Sequence, residues 1–282
     1  MTKEEFILEG KHTKPILADI TIKTNGEKKP LVLFVHGYKG FKDWGCWYLA
    51  AEKFAEAGMC FLKFNFSHNG GTVEQPIDFP DLEAFGNNNY IKELDDIQTV
   101  MDWVTSPDHP YAEEIDTDNI TIIGHSRGGG IITVYAAEDA RVNKLVSWAG
   151  VSDFESRFPK GFKRFVWKLR GVGYVENSRT KQKMPHYYQF YKNFIENRER
   201  LNIKRAMQKL TIPVLLVHGD ADATVPLWEA ENMKKWNPSH ATLDVIPNGD
   251  HVFGGKHPWD TNELPGDLQN VADLTIAFIN KH

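Results

Sequence analysis

Short apolar runs alternate along the chain with longer stretches in which apolar residues recur every three or four positions. Strands are predicted for eight apolar runs, at 6–10, 17–23, 30–37, 59–67, 119–124, 143–150, 212–219 and 241–247. Helices are predicted over 43–58, 89–105, 128–140, 226–236 and 264–280. This alternation is typical of a mostly parallel sheet whose strands are joined by crossover helices, so the sequence predicts an α/β fold.

Residues 154–210 differ in composition from the rest of the chain. They contain fifteen Lys and Arg but four Asp and Glu, a net charge of +11, which leaves −16 for the remainder of a chain whose total is −5. They also hold eleven aromatic residues, which are Phe154, Phe158, Phe162, Phe165, Trp167, Tyr174, Tyr187, Tyr188, Phe190, Tyr191 and Phe194. We interpret 154–210 as a basic, aromatic-rich cap inserted into one domain, whose core consists of residues 1–153 and 211–282.

Two explanations of the basic charge in this cap remain open. The cations either dock on a body of opposite charge, or they draw an anionic substrate toward a cleft. Nucleic acid is not an expected partner, because the rest of the chain is acidic.

The bulk composition is that of a globular protein, with 41% hydrophobic and 25% charged residues among 282. No apolar run is long enough to predict a membrane span, and the N-terminus MTKEEFILEG lacks the basic start and apolar run of a signal peptide. A cytoplasmic protein without a membrane partner is therefore expected. Cys46 and Cys60 have no metal-ligand spacing and are interpreted as free thiols.

The stretch Gly124-His-Ser-Arg-Gly-Gly-Gly130 has two conflicting interpretations. A phosphate-binding loop requires Gly-x-Gly-x-x-Gly or Gly-x4-Gly-Lys-Ser/Thr, and neither pattern is present. The pattern Gly-x-Ser-x-Gly fits at Gly124, Ser126 and Gly128, at the junction of a predicted strand and helix. Such a sharp turn strains the serine backbone and leaves no room for side chains two positions away on either side. The pattern therefore favours a serine presented above the sheet at a helix N-terminus.

A serine hydroxyl needs a base to act as a nucleophile, and that base needs an orienting carboxylate. Asp220 and Asp222 follow the predicted strand 212–219, and His251 follows the strand 241–247. Parallel strands end at the same edge of a sheet, where α/β proteins build their sites, so both loops should lie near Ser126. The chain order Ser, Asp, His is the one that this architecture gives.

The motifs FVHGYKG, GHSRGG, HGDADATVP and GDHVF resemble those of the α/β-hydrolase superfamily, and within it those of the capped carboxylesterases of the cinnamoyl or feruloyl type. This resemblance covers nearly the whole chain. It implies an α/β-hydrolase fold with a mostly parallel eight-stranded sheet, helices on both faces and an inserted cap. It also implies Ser126 as nucleophile, His251 as general base and acid, and Asp222 as the orienting acid, with Asp220 as a turn residue.

The same resemblance implies an oxyanion hole. The family's His-Gly-aromatic turn matches His36-Gly37-Tyr38, so the backbone N–H groups of Tyr38 and Arg127 are the expected donors to the tetrahedral intermediate. The stretch GYVENSRTKQKMP resembles the hairpin of the esterase cap.

We therefore expect a serine hydrolase that cleaves small carboxylic esters through an acyl-enzyme, with aryl and hydroxycinnamoyl esters as candidate substrates. The alternatives are a serine peptidase or acylaminoacyl hydrolase with the same triad, and a ligand-binding protein on a hydrolase scaffold. This chemistry requires no cofactor, and no metal is expected, because His251 and His257 have no usual ligand spacing. His36, His125 and His218 are expected to serve as structural hydrogen-bonding residues. The sequence does not indicate the oligomeric state.

Overall fold

The computed structural model describes the whole chain, residues 1–282. Its strands are β1 (Thr2–Leu8), β2 (Ile16–Ile22), β3 (Lys29–Val35), β4 (Cys60–Asn65), β5 (Ile115–His125), β6 (Val142–Trp148), β7 (Val172–Glu176), β8 (Lys183–Tyr187), β9 (Val214–Gly219) and β10 (Ala241–Ile246). Its helices are α1 (Trp47–Glu56), α2 (Leu82–Gly86), α3 (Tyr90–Val104), α4 (Arg127–Ala136), α5 (Gly161–Arg170), α6 (Gln189–Glu196), α7 (Ile203–Lys209), α8 (Trp228–Trp236) and α9 (Gly266–Lys281).

The main sheet has eight strands in the order β1-β2-β4-β3-β5-β6-β9-β10. The five pairs from β4 to β10 are parallel, whereas β1 and β2 run antiparallel at one edge. This arrangement confirms the predicted mostly parallel eight-stranded sheet. The strand β1 begins four residues earlier than the apolar run, because its polar residues 3–5 also pair with β2 at the edge of the sheet.

Both faces of the sheet are covered. Alternate residues of β3 point in opposite directions, so Leu31 and Leu33 join a core with α3 and α4 while Val32 and Phe34 join a second core with α1 and α9. Burial on both sides explains why the run at 30–37 is almost continuously apolar. No helix combines the length and the apolar character that crossing a bilayer requires.

The chain between β6 and β9 forms the segment over the carboxyl edge of the sheet. It contains a short 3-10 helix (Glu155–Arg157), α5, the antiparallel hairpin of β7 and β8, α6 and α7. The hairpin covers the stretch GYVENSRTKQKMP (173–185) together with one residue before it and two residues after it. The last helix, α7, packs against α4 and α8 and thus lies in the layer of helices that covers the main sheet.

Candidate active site

Ser126 lies in a strained turn between β5 and α4. Its φ of 57° and ψ of −120° are unusual for a residue with a side chain. A Cβ on Gly124 would lie 2.5 Å from the carbonyl of Gly128, and a Cβ on Gly128 would lie 2.4 Å from the carbonyl oxygen of Val35. The Ser126 N–H donates to the carbonyl of Trp148 in the neighbouring β6 at 2.9 Å. The two glycines are therefore required by the space around the turn, and the glycine richness has a steric origin.

Loops from two further strands place His251 and Asp222 beside this serine. His251 Nε2 lies 2.9 Å from Ser126 Oγ, and His251 Nδ1 lies 2.7 Å from Asp222 Oδ2. An ionised carboxylate only accepts hydrogen bonds, so Nδ1 carries the proton and Nε2 is left to accept from the serine hydroxyl. The three side chains form one continuous hydrogen-bonded line.

The Asp222 carboxylate is surrounded by donors. Its Oδ1 accepts from the N–H groups of Thr224 at 2.8 Å and Val225 at 2.9 Å, and its side chain is fully buried. Burial alone would raise the pKa of Asp222, but the hydrogen bonds from His218, His251 and Val225 lower it well below the ordinary range. The carboxylate is therefore ionised at neutral pH.

The other aspartate of the loop lies elsewhere. Asp220 is exposed, and its Oδ1 accepts from the N–H of Asn248 at 2.6 Å. Of the two aspartates that follow β9, the structure brings Asp222 to His251 and leaves Asp220 in a turn.

Three further histidines support the loops around this line. His125 Nε2 donates to the carbonyl of His251 at 2.8 Å, and burial lowers the pKa of His125 to about 3. His218 Nε2 donates to the carbonyl of Val225 at 2.8 Å. His36 Nδ1 donates to the carbonyl of Gly37 at 2.9 Å, and burial lowers its pKa to about 4. Each of these bonds holds the backbone of a loop that carries a candidate site residue.

Two residues close to Ser126 have backbone N–H groups without a partner within the protein. A Cβ on Gly37 would lie 2.9 Å from Ser126 Cβ and 3.4 Å from Oγ, so the turn that follows β3 touches the serine. The next N–H, that of Tyr38, donates no hydrogen bond within the protein. The N–H of Arg127 is the first of α4 and has no partner within the helix. Both groups are available to a negatively charged oxygen at this point.

The Arg127 side chain takes part in a buried cluster that the sequence did not reveal. Its guanidinium hydrogen-bonds to the carboxylate of Glu93, which is 1% exposed, and lies over the ring of Tyr38 with 5.0 Å to the centroid. Burial raises the pKa of Glu93, partly offset by Arg127. The Tyr38 hydroxyl donates to His186 Nε2 at 2.6 Å, and burial lowers the pKa of His186 to about 4. In the sequence, Glu93 is one more polar position of an amphipathic helix.

A family model described as the alpha/beta hydrolase family matches residues 32–261, which is most of the chain. The chain belongs to the alpha/beta hydrolase family. This confirms the resemblance carried by the four motifs, and the protein is a hydrolase of that family.

Individual relatives of this hydrolase are distant. Est1E from Butyrivibrio proteoclasticus has a similar structure, with a TM-score of 0.69, 18% identity and 98% of each chain covered. A putative hydrolase from Agrobacterium vitis S4 gives a TM-score of 0.75 at 17% identity, covering 99% of this chain and 100% of that one. A putative non-heme chloroperoxidase from Synechocystis sp. is 22% identical over 87% of this chain and 93% of its own. At these identities the structural similarities establish the fold of the hydrolase.

A cavity of about 450 Å³ opens above Ser126 in this hydrolase. Thirteen of its twenty lining residues belong to 157–190, so the segment between β6 and β9 forms its roof. The aromatic residues among the twenty are Tyr38, Tyr90, Phe158, Trp167, Tyr174, His186 and Phe190. The cavity is large enough for a small organic molecule and offers it mostly apolar walls.

Proposed function

We propose that this hydrolase is a serine esterase that cleaves carboxylic esters through an acyl-enzyme. The observation that carries the proposal is the continuous line from Asp222 through His251 to Ser126 Oγ, with two unpaired backbone N–H groups beside that oxygen. A nucleophile, a base, an orienting carboxylate and oxyanion donors are the parts that acyl transfer requires. A binding protein would need none of them in this geometry.

The reaction follows from this geometry. Ser126 Oγ attacks the ester carbonyl while His251 Nε2 takes the serine proton, and the N–H groups of Tyr38 and Arg127 donate to the oxyanion. Collapse of the tetrahedral intermediate breaks the bond to the alcohol oxygen, which receives the proton from His251. The acyl group then remains on Ser126. Water, deprotonated by His251, attacks this acyl-enzyme in the same way and releases the acid and the free serine.

Aryl or hydroxycinnamoyl esters are the substrates that we propose within this class. The aromatic walls of the cavity and its volume of about 450 Å³ suit an aromatic ring beside the reacting carbonyl. The structurally similar Est1E has been described with ferulic acid bound, which is consistent with this choice at 20% identity.

A fluorophosphonate probe and an ester library test the proposal. The wild-type protein should be labelled and should hydrolyse p-nitrophenyl and hydroxycinnamoyl esters, whereas Ser126→Ala and His251→Ala should lose turnover while keeping the wild-type circular dichroism spectrum. Near-normal activity in Ser126→Ala would refute the mechanism. Faster cleavage of aminoacyl anilides than of the matched esters would instead identify a peptidase or acylaminoacyl hydrolase.

A further inference from the structure

The charged residues that line the cavity all carry the same sign. They are Arg127, Arg157, Lys163 and Arg170, and no Asp or Glu is among the twenty lining residues. The net charge of the whole protein is negative, so the charge of the cavity wall is opposite in sign to that of the protein. The cavity therefore offers a positive surface to whatever enters it.

Two of these cations are neutralised and two are not. Arg127 pairs with the buried Glu93, and Arg157 pairs with Glu229, whose side chain is 5% exposed. Lys163 and Arg170 form no ion pair and make no side-chain hydrogen bond with the protein. Their charge is unpaired at the wall of an otherwise apolar cavity.

The helix α5 explains why these two cations face the same way. Val166 and Trp167 lie three and four residues after Lys163, and Arg170 lies three residues after Trp167, so the four share one face of the helix and all line the cavity. Trp167 is buried, and its Nε1 donates to the carbonyl of His186 at 2.7 Å, which fixes the rotation of the helix. Lys163 and Arg170 are themselves exposed, so they lie where the cavity meets solvent.

Docking on the acidic body does not account for these charges. The cations of 154–210 that pair with carboxylates outside this segment are Arg157 with Glu229, Arg179 with Asp78 and Arg200 with Glu138. None of the three lies on α5. Docking therefore explains the charge of these three residues. It does not explain the cations of α5.

We propose that Lys163 and Arg170 form a subsite for an anionic group carried by the substrate at the end remote from the reacting ester. The proposal rests on the esterase function, because it assigns the substrate class of the same cavity. Arg170 offers a planar fork that suits a carboxylate or phosphate, and Lys163 adds a point charge. The substrate class is therefore an ester with an apolar middle part, which packs on the aromatic walls, and an anion at its far end.

Matched pairs of anionic and neutral esters test the subsite. In the first series, p-nitrophenyl esters have an acyl chain that ends in a carboxylate or in the neutral carboxamide, over a range of chain lengths. In the second series the anion is on the leaving alcohol, and in the third a phosphate replaces the carboxylate. We expect the anionic member to have a kcat/KM higher by up to about fivefold for each cation engaged, at one best chain length. Equal values for anionic and neutral members in all three series would overturn the proposal.

Substitutions on α5 separate a local subsite from a general field. Lys163→Gln and Arg170→Gln should each raise KM for the anionic ester about fivefold with kcat nearly unchanged, because the contact is made equally in the ground and transition states. Both variants should change kcat/KM for the carboxamide much less than for the anionic ester, and their circular dichroism spectra should match that of the wild type. Lys168→Gln is the matched control, because Lys168 is an exposed cation of the same helix that does not line the cavity. An equal effect of Lys168→Gln would overturn a local subsite.

A binding measurement keeps this proposal separate from the esterase proposal. The Ser126→Ala protein should bind the anionic ester about fivefold or more tightly than the carboxamide by calorimetry, and adding both Lys163→Gln and Arg170→Gln should remove the difference. Anion-selective binding with no ester turnover and no fluorophosphonate labelling of the wild type would refute the esterase and keep the subsite. Ester turnover without anion selectivity would refute the subsite and support the esterase.

Discussion

Replacing Asp222 by Asn tests the hydrogen-bonded line by removing one charge. All groups around the carboxylate are donors, with Thr224 and Val225 N–H on Oδ1 and His251 Nδ1 on Oδ2. An Asn side chain has one acceptor and one donor group. Its oxygen must take the place of Oδ1, because the opposite orientation directs the NH2 group at two backbone N–H groups.

The Asn NH2 group then faces His251 Nδ1. The ring nitrogen has to accept this bond, so its proton moves to Nε2 and points at Ser126 Oγ. In that tautomer the imidazole cannot take the serine proton. We expect kcat to fall by about 10³- to 10⁴-fold, equivalent to about 4 to 5.5 kcal/mol of barrier, as for the same substitution in other triads. KM should change little, because Asp222 does not line the cavity.

Steady-state hydrolysis of a p-nitrophenyl ester measures this effect. Asp220→Asn is the matched control, because Asp220 is exposed on the same loop and bonds only to the N–H of Asn248. Its kcat should stay within about threefold of the wild type. The orienting role of Asp222 would be refuted if Asp222→Asn kept more than about a tenth of the wild-type kcat, or if Asp220→Asn lost as much kcat as Asp222→Asn.

Three further outcomes follow from the site. Gly37→Ala places a Cβ 2.9 Å from Ser126 Cβ, which should displace the Tyr38 N–H and lower the kcat of the folded protein about 100-fold. Gly124→Ala places a Cβ 2.5 Å from the Gly128 carbonyl and should lower the free energy of unfolding in urea by about 2 kcal/mol or more. The pKa of Asp222 is lower in the folded than in the unfolded protein, so its stabilisation is complete above about pH 5 and declines as the pH falls below about 4. The difference in urea stability between wild type and Asp222→Asn should accordingly shrink as the pH falls below about 4. An equal difference at about pH 5 and at about pH 3 would contradict this.

The strands and helices of the main sheet were predictable, because buried positions are apolar and recur at the spacing of a strand or a helix. The strands that are buried on both faces, such as β3 and β9, appear as continuous apolar runs, and α3 and α9 show helical spacing. The segment 154–210 lacks such a regular pattern of apolar positions. Its helix α7 packs on α4 and α8, whereas α5 and the hairpin form the roof of the cavity. The amino-acid composition of 154–210 is an average over these two environments and does not distinguish them.

The candidate site was predictable as far as local geometry determines it. The turn pattern at Ser126 and the loops after β9 and β10 placed three residues at one edge of the sheet. Choosing Asp222 over Asp220 required the family resemblance, because both lie within two residues on the same loop. The pair of Arg127 with Glu93 was not predictable, since it joins residues 34 apart that meet only when α3 packs beside α4. Long-range pairs of this kind leave no periodic signal.

The positive φ of Ser126 makes the reactivity of this residue sensitive to local unfolding. A residue with a side chain adopts this conformation only while its surroundings enforce it, and here the enforcing contacts are the bond to Trp148 and the packing of Gly124 on Gly128. Loosening of the β5–α4 turn would let the serine relax to an ordinary conformation, away from His251. Reactivity toward a fluorophosphonate should then be lost at lower denaturant concentration than the far-ultraviolet dichroism of the helices. Loss of labelling at Ser126 would thus report local unfolding of the β5–α4 turn before the helices unfold.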